Sequence, residues 1–340
     1  DIPQAGEHND NEEFQYYITF LKSYFVPVMS TWGDQMMQKV QSRIIIQVYD
    51  QNNLPLDGAE VTFGRETKET FQDGEAFFYP ARWSNYADLK IDYNGTTTNL
   101  EIYTEQFGRY VVNMPMERTD KEEIEVDIVF LMDTTGSMGE EIEQLRDTLY
   151  SIYMRIGNVE TGGELDLNFG MVLYRDKRDD YLTMEFDLTD DIDSFAEFLF
   201  EVEADGGGDT PEDILSGLEE VQGLSWREES IKLAFLITDA PGHFDSYKEI
   251  SDIADEFEED QIKIFTVGAG GLDTTGEIHL RMLSQLTKGN FIFLTYGETG
   301  ESHGDGSDPD DPGRVSHHTG ENYVSRNLDD IIVDNVKTEI

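Results

Sequence analysis

The chain of 340 residues contains no cysteine. This absence excludes disulfide bonds, thiolate zinc sites and cysteine nucleophiles together. Basic residues are scarce as well, because 24 Lys and Arg stand against 72 Asp and Glu and give a formal net charge of -48. A surface this acidic repels phosphate backbones and anionic lipid headgroups. We therefore expect neither nucleic acid nor a membrane surface among the partners.

Long hydrophobic runs are missing too. The longest apolar run, Tyr16 to Met29, is interrupted by Lys22 and Pro27 and is too short to cross a bilayer, so we expect no direct membrane insertion. Salt screens the repulsion within such an acidic chain, because the Debye length falls from roughly 8 Å at physiological ionic strength to roughly 3 Å at 1 M. The charge therefore favours a saline or cell-exterior setting.

Signatures of common enzymes are also absent. The sequence has no HExxH, no P-loop and no GxGxxG after a strand. The segment Thr135 to Gly139 lacks the first glycine of a GxSxG elbow, and no histidine follows a comparable strand to activate Ser137 as a nucleophile. We therefore expect a binding protein and not an enzyme.

The hydrophobic content of 38% is enough for a packed core and predicts two or three domains. Residues 1 to 40 are interpreted as a leader and a helical arm, with a flexible polar leader at residues 1 to 11. A helix that ends near Pro27 follows, because apolar side chains recur at helical spacing. These side chains are Phe14, Tyr17, Ile18, Leu21, Phe25 and Val28.

Residues 41 to 116 are predicted to form a small β-sandwich, because β-branched and aromatic segments alternate with turn dipeptides. The turn dipeptides are Asn52-Asn53, Asp57-Gly58, Asp73-Gly74 and Asn94-Gly95. The order IIIQVYDQNNLPLDGAEVTF followed by TFQDGEAFFYP resembles the carboxypeptidase-regulatory-like family of immunoglobulin-type sandwiches. This resemblance implies a spacer or support in a secreted or cell-surface chain.

Residues 122 to 340 alternate between strands and helices, which predicts an α/β domain with a doubly wound, mostly parallel sheet of six strands. The strands are predicted at 125–132, 166–174, 182–187, 231–238, 262–268 and 290–295. The helices are predicted at 139–156, 192–202, 211–222, 246–259, 276–286 and 323–339. Residues 297 to 320 form an insertion rich in Gly, Asp, Ser, Pro and His before the last helix.

Oxygen-bearing side chains follow two predicted strands and precede one predicted helix of this domain. In an open parallel sheet, ligands bind beyond the carboxyl ends of the strands, where connectivity reverses. The side chains expected there are Asp133, Thr135, Ser137, Thr210 and Asp239. Such an oxygen-only set suits a hard cation, so we expect Mg²⁺, with Ca²⁺ and Mn²⁺ as alternatives. A cation held mostly by neutral hydroxyls stays electrophilic and can accept a carboxylate oxygen from a partner.

These residues resemble the metal-ion-dependent adhesion site of the von Willebrand factor type A family. Asp133, Thr135 and Ser137 match its Asp-x-Ser-x-Ser element, with Thr in place of the first Ser, while Thr210 and Asp239 match the distant Thr and Asp. The resemblance implies metal-dependent adhesion or complex assembly, with a partner protein supplying an Asp or Glu. We expect a rim around the site formed by Tyr174, Arg175, Asp176, Asp209 and His243.

Each segment also has a simpler structural interpretation. Ser137 starts a Ser-x-x-Glu capping box, and Thr210 followed by Pro211 fits a helix N-cap. Arg175 could simply bridge surface Asp residues. The 297–320 insertion is either a flexible solvated loop or a second ion site. The residues available for such an ion site are His303, Asp305, Asp308, Asp310, Asp311, His317 and His318.

Two function classes remain open besides adhesion. One is a structural or regulatory subunit of an intracellular assembly, of the kind in which type A domains organise metal chelatases. The other, less favoured, is a hydrolase. The resemblance of residues 41 to 116 to secreted modules favours an extracellular, cell-surface or periplasmic location, with a signal peptide or lipoprotein anchor removed upstream of Asp1.

Overall fold

The computed structural model describes residues 3–28, 36–81, 84–159, 164–206, 211–243, 246–295, 317–320 and 323–340. The chain divides into two compact units. One contains residues 18–122, and the other joins residues 1–17 to residues 123–338. The β-rich unit is therefore inserted between two parts of the second unit in sequence.

The described strands and helices are numbered in chain order. The strands are β1 Gln4–His8, β2 Arg43–Tyr49, β3 Glu60–Phe63, β4 Glu66–Glu69, β5 Glu75–Phe78, β6 Tyr86–Tyr93, β7 Thr96–Tyr103, β8 Phe107–Asn113, β9 Glu123–Asp133, β10 Glu164–Tyr174, β11 Thr183–Thr189, β12 Ile231–Thr238, β13 Ile262–Gly268, β14 Phe291–Thr295 and β15 Arg326–Asn327. The helices are α1 Phe14–Phe20, α2 Val26–Val28, α3 36–40, α4 Gly139–Ile156, α5 Ile192–Glu201, α6 Ile214–Gln222, α7 Tyr247–Glu259, α8 Thr274–Leu286 and α9 Leu328–Glu339. A π-helical turn, Leu21–Phe25, joins α1 to α2.

The β-rich unit contains two sheets, with strand orders β5-β2-β8 and β4-β3-β6-β7. Alternate residues of both sheets enter one apolar cluster, which includes Ile44, Val61, Leu89 and Ile91. This alternation follows from the two-residue period of a strand. The four predicted turns are confirmed, because the second residue of each dipeptide has a positive φ, between 63° and 79°. Such angles suit Asn and Gly at tight turns.

The second unit is an α/β domain built on a mixed sheet, with strand order β11-β10-β9-β12-β13-β14-β1-β15. Strands β10, β9, β12, β13 and β14 run parallel, and β11 is antiparallel to β10. All six predicted strands are present. The apolar runs 128–132 and 233–237 are buried along their whole length, as expected of central strands covered on both faces.

Within the described residues the sheet has eight strands and not six, because the N-terminal strand β1 and the short strand β15 join it. The expected flexible leader is wrong for residues 4 to 8, which form β1 and pair antiparallel with β14. Gly6 permits this close packing, because a Cβ there would lie 2.8 Å from the ring of Phe293. On its other side β1 pairs with β15. Residues 326 and 327 therefore form a strand, and the last helix begins at Leu328 and not at residue 323.

A buried ion-pair network anchors the segment that follows β1. Arg281 of α8 is fully buried, and its Nε donates to Asp10 Oδ2 at 2.8 Å. A second guanidinium nitrogen lies 3.1 Å from Glu277 Oε1. Asp10 is itself only 1% exposed. Since buried charges need partners, this network holds the N-terminal segment against α8.

We expect Asp10→Ala to destabilise the α/β unit by about 3 kcal/mol, because it removes one partner of a buried charge. Urea denaturation followed by circular dichroism measures the loss. Glu12→Ala is the matched control, since the Glu12 side chain is exposed and two residues away. Equal stability of Asp10→Ala and the unsubstituted chain would contradict this account of the segment.

Candidate metal site

The predicted site lies where the connectivity of the sheet reverses. Strands β10 and β12 flank β9 on opposite sides, and all three run parallel. The pairing of Ile237 with Met132 brings the ends of β12 and β9 together, so Thr238 and Asp133 lie side by side. This edge is where open α/β sheets bind ligands.

The carboxylate of Asp133 is fully buried and held by three hydrogen bonds. Oδ1 accepts from the Thr135 amide at 2.9 Å and from the Thr135 hydroxyl at 2.8 Å. Oδ2 accepts from the Thr238 hydroxyl at 3.0 Å. Burial raises the pKa of Asp133, although these hydrogen bonds oppose the rise. The sequence analysis did not predict a role for Thr238, because its position indicates only the end of a buried strand.

The hydroxyls of Thr135 and Ser137 lie 3.5 Å apart beside this carboxylate. A 3₁₀ turn, Gly136–Met138, carries the chain from Thr135 into α4. The N-cap of α4 is Met138, and no side chain caps either the turn or the helix among the described residues. Ser137 is therefore not at the N-cap position itself, and the Glu140 side chain, the other half of the proposed capping box, lies outside the described residues.

The backbone of this loop is fixed by a neighbouring segment. The Gly136 amide donates to Gly206 O at 3.2 Å, and the Asp205 amide donates to Thr134 O at 3.1 Å. A Cβ on Gly136 would lie 3.1 Å from that Gly206 oxygen, so the close approach favours glycine. The Thr134 hydroxyl also lies 2.6 Å from the Tyr181 hydroxyl.

Two predicted rim residues are buried and do not form a rim. Tyr174 is fully buried under α6, where a Cβ on Gly217 would lie 3.2 Å from its ring. Arg175 is 5% exposed; its Nε donates to Thr134 O at 3.2 Å and another guanidinium nitrogen to Glu203 O at 2.9 Å. Both the partner-binding role and the surface-bridge interpretation of Arg175 are therefore wrong. The buried guanidinium instead binds the backbone of the loop that follows β9.

Asp176 and His243, two of the residues expected at the rim, contact each other. His243 Nε2 is 2.8 Å from Asp176 Oδ1, and the two side chains are 25% and 15% exposed. Asp209 and Thr210 fall outside the described residues. Helix α6 begins at Ile214 and not at residue 211, because Asp213 is its N-cap and accepts from the Ser216 amide at 3.3 Å.

Glu212 is an acidic residue of this site that the sequence analysis did not identify. It is 2% exposed, and its amide donates to Pro241 O at 3.0 Å, two residues beyond Asp239. Burial, followed by the charges of Asp133, Asp176, Asp179 and Asp239, raises the pKa of Glu212 to about 8. Negative charge is thus concentrated at this edge of the sheet.

The side chains of this edge of the sheet are oxygen donors, which hard cations prefer. No three His, Asp or Glu side chains converge as a metal cluster within the described parts of the chain. The oxygens that the structure brings together are the Asp133 carboxylate and the hydroxyls of Thr135 and Ser137, while Asp239 directly follows Thr238 at the end of β12. Oxygen donors with excess negative charge suit Mg²⁺, Ca²⁺ or Mn²⁺.

The 297–320 insertion is described only at residues 317–320. His317 stacks on Phe293 with ring centroids 4.5 Å apart, and His318 Nδ1 lies 2.6 Å from Glu277 Oε2. Both contacts belong to the packing around α8 and β14. The other side chains proposed for a second ion site, His303 and residues 305–311, fall outside the described residues.

Comparison with known proteins agrees with the fold of the second unit. Residues 127–293 match the family model of the von Willebrand factor A domain. The chain is 31% identical over 130 residues to the alpha-protein kinase vwkA of Dictyostelium discoideum, covering 37% of this chain and 20% of the kinase. It is 30% identical over 121 residues to a putative ariadne-like RING finger protein of Acanthamoeba polyphaga mimivirus, covering 36% of this chain and 12% of that protein. It therefore spans a fifth or less of these relatives.

Among solved structures, the SpRpn10 VWA domain aligns with a TM-score of 0.37 and 16% identity, over 48% of this chain and 82% of that domain. The match to the family model identifies residues 127–293 as a von Willebrand factor A domain, a class that serves mostly as a non-enzymatic protein-interaction module and typically binds protein partners. None of the described helices has the length and apolar character needed to cross a membrane.

The raised pKa of Glu212 predicts that the metal-free protein loses stability as the pH rises. Between the ordinary glutamate pKa of 4.5 and the raised pKa of about 8, the folded chain holds a proton that the unfolded chain has released. The unfolding free energy should therefore fall across this window. Urea denaturation in EDTA at four pH values from 5 to 8.5 measures the slope. Glu212→Gln should flatten it, whereas the exposed control Glu219→Gln should not; equal slopes in all three proteins would contradict the assignment.

Proposed function

We propose that the A domain binds a divalent cation, Mg²⁺ foremost, and through it a carboxylate of a partner protein. The residues proposed to hold the ion are Asp133, Thr135, Ser137, Thr210 and Asp239. The observation that carries the proposal is the fixed, buried carboxylate of Asp133 with the two hydroxyls beside it.

The clustering of carboxylates at this edge of the sheet supports the binding of a cation there. Asp133 and Glu212 are buried at one edge of the sheet, and Asp239 is 9% exposed beside them. Burial raises the pKa of Asp133, and burial together with the charges of Asp133 and Asp239 raises the pKa of Glu212. Packing carboxylates together in a low-dielectric site costs free energy unless a cation compensates it. A bound divalent ion is the largest local charge and reverses this penalty.

The mixture of hydroxyl and carboxylate donors supports recognition of a carboxylate from a partner protein. Thr135 and Ser137 carry no charge, so a bound ion would keep an electrophilic position for an incoming oxygen. Ser137 is exposed, and the Asp176–His243 pair is partly exposed, so this side of the site is open to a protein surface. Arg175 holds the Thr134 backbone and keeps the loop in shape.

The β-rich unit is proposed to act as a spacer of the carboxypeptidase-regulatory-like type. Its two sheets enclose their own apolar cluster, which supports an independently packed module. With the charge of -48, this supports an extracellular, cell-surface or periplasmic adhesion protein in a saline setting. Catalysis is not part of the proposal.

A second candidate is a subunit that organises a larger assembly. The matched region makes up only 20% of the Dictyostelium protein, which is named as a kinase. It makes up only 12% of the mimivirus protein, which is named as a RING finger protein. An A domain attached to other functions supports a scaffolding role. In this case the same site would bind an acidic residue of a companion subunit.

We expect the full chain to bind Mg²⁺ with one saturable site in isothermal titration calorimetry, and to gain thermal stability with it by mass action. Asp133→Ala should abolish both effects while leaving the far-ultraviolet circular dichroism unchanged. Asp252→Ala is the control, since its carboxylate is exposed on α7, away from β9 and β12. Mg²⁺ binding by Asp133→Ala at the unsubstituted affinity would refute the site.

Partner chemistry is tested with a random peptide library presented to the immobilised chain in Mg²⁺ or in EDTA. Peptides selected only in Mg²⁺ should contain an Asp or Glu whose change to Asn or Gln abolishes binding. They should also fail to bind Asp133→Ala. Selected peptides that keep their affinity in EDTA or after the amide substitution would contradict recognition through a carboxylate.

A further inference from the structure

The loop that carries Asp239 ends against a buried histidine. His279 lies in the middle of α8 and is fully buried. Its Nδ1 accepts a hydrogen bond from the Gly242 amide at 3.1 Å. The ring also packs on Tyr247, the first residue of α7, with centroids 4.0 Å apart. The imidazole therefore contacts the loop three residues beyond a proposed metal ligand.

The same stretch of loop is bound from its other side. The Glu212 amide donates to Pro241 O at 3.0 Å, and Glu212 and Gly242 form a parallel β-bridge. Glu212 is two residues beyond the proposed ligand Thr210. Residues 241 and 242 therefore join the segments that follow two proposed ligands, and His279 is the side chain that holds this junction to α8.

Burial of a histidine at this position costs folding free energy. Its Nε2 is buried without a hydrogen-bond partner among the described residues. Burial lowers the pKa of His279 to about 3, so the ring stays neutral and Nδ1 remains an acceptor. The Gly242 bond then places the proton on Nε2. A buried donor without a partner costs free energy, so an apolar side chain would serve packing alone better.

The loop and α8 also pack against each other at van der Waals distance. A Cβ on Gly276, one turn before His279 in α8, would lie 3.4 Å from Pro241 N. A Cβ on Gly242 would lie 3.5 Å from the His279 ring. A change at position 279 would therefore be transmitted to the loop backbone.

We propose that His279 is a positioning residue of the metal site: its Nδ1 fixes the Gly242 amide and thereby the loop that presents Asp239. This inference rests on the proposed metal-binding function. Residues that orient a metal ligand typically change metal affinity about 10- to 100-fold when they are replaced.

The test compares His279→Leu, His279→Asn and His279→Gln in the full chain, with Mn²⁺ affinity measured by electron paramagnetic resonance. Asn can place its Oδ1 near the position of Nδ1 and accept from the Gly242 amide, whereas Leu cannot accept and Gln reaches towards Nε2. We expect Leu and Gln to weaken Mn²⁺ binding about 10-fold or more and Asn to stay within about 3-fold of the unsubstituted chain.

Stability and amide exchange separate this role from simple packing. In EDTA, His279→Leu and His279→Asn should have similar stability, because Leu leaves the buried Gly242 amide without an acceptor and Asn leaves its own buried NH2 group without a partner. The Gly242 amide should be protected from hydrogen exchange in the unsubstituted chain and in His279→Asn, but not in His279→Leu.

Full Mn²⁺ affinity in His279→Leu, or a loss of affinity that tracks the loss of stability across the three variants, would overturn the inference. Absence of Mn²⁺ binding by the unsubstituted chain would overturn the proposed function as well. That failure is distinguishable, because the Gly242 exchange data still report whether His279 holds the loop.

Discussion

Three hydrogen bonds to the buried Asp133 carboxylate connect the sheet, the loop after it and the neighbouring strand. Two come from Thr135, in the loop after β9, and one comes from Thr238, at the end of β12. These bonds fix the orientation of the carboxylate and the position of the Thr135 hydroxyl, which lies 3.5 Å from the Ser137 hydroxyl. The proposed metal site depends on that geometry.

Supports for the site come from several separate elements. Arg175 and Gly206 hold the loop after β9, while Glu212 and His279 hold the loop after β12. These contacts join β10, α8 and the segments before α6 to one edge of the sheet. A binding site needs its ligand-binding side chains to be held by rigid neighbouring elements, because misplaced donor atoms weaken the affinity for the ligand.

The sequence was informative wherever local pattern decides the structure. All six strands of the predicted sheet and the four tight turns follow from apolar runs and turn dipeptides, which act over a few residues. Strand β1 was missed because its short polar sequence is ordered by pairing with β14, almost 290 residues away, and with β15. Burial of Tyr174 and Arg175 depends on α6 and the Glu203 carbonyl, and the role of Glu212 depends on the loop after β12. Such long-range contacts leave no periodic signal in the sequence.

Crystals of the full chain soaked in Mn²⁺ give the most direct test, through anomalous diffraction at the manganese absorption edge. The account predicts one anomalous peak bounded by oxygens of Asp133, Thr135, Ser137, Thr210 and Asp239. If crystals that contain saturating Mn²⁺ show these side chains turned apart with no anomalous peak between them, the metal site does not exist and only the fold stands.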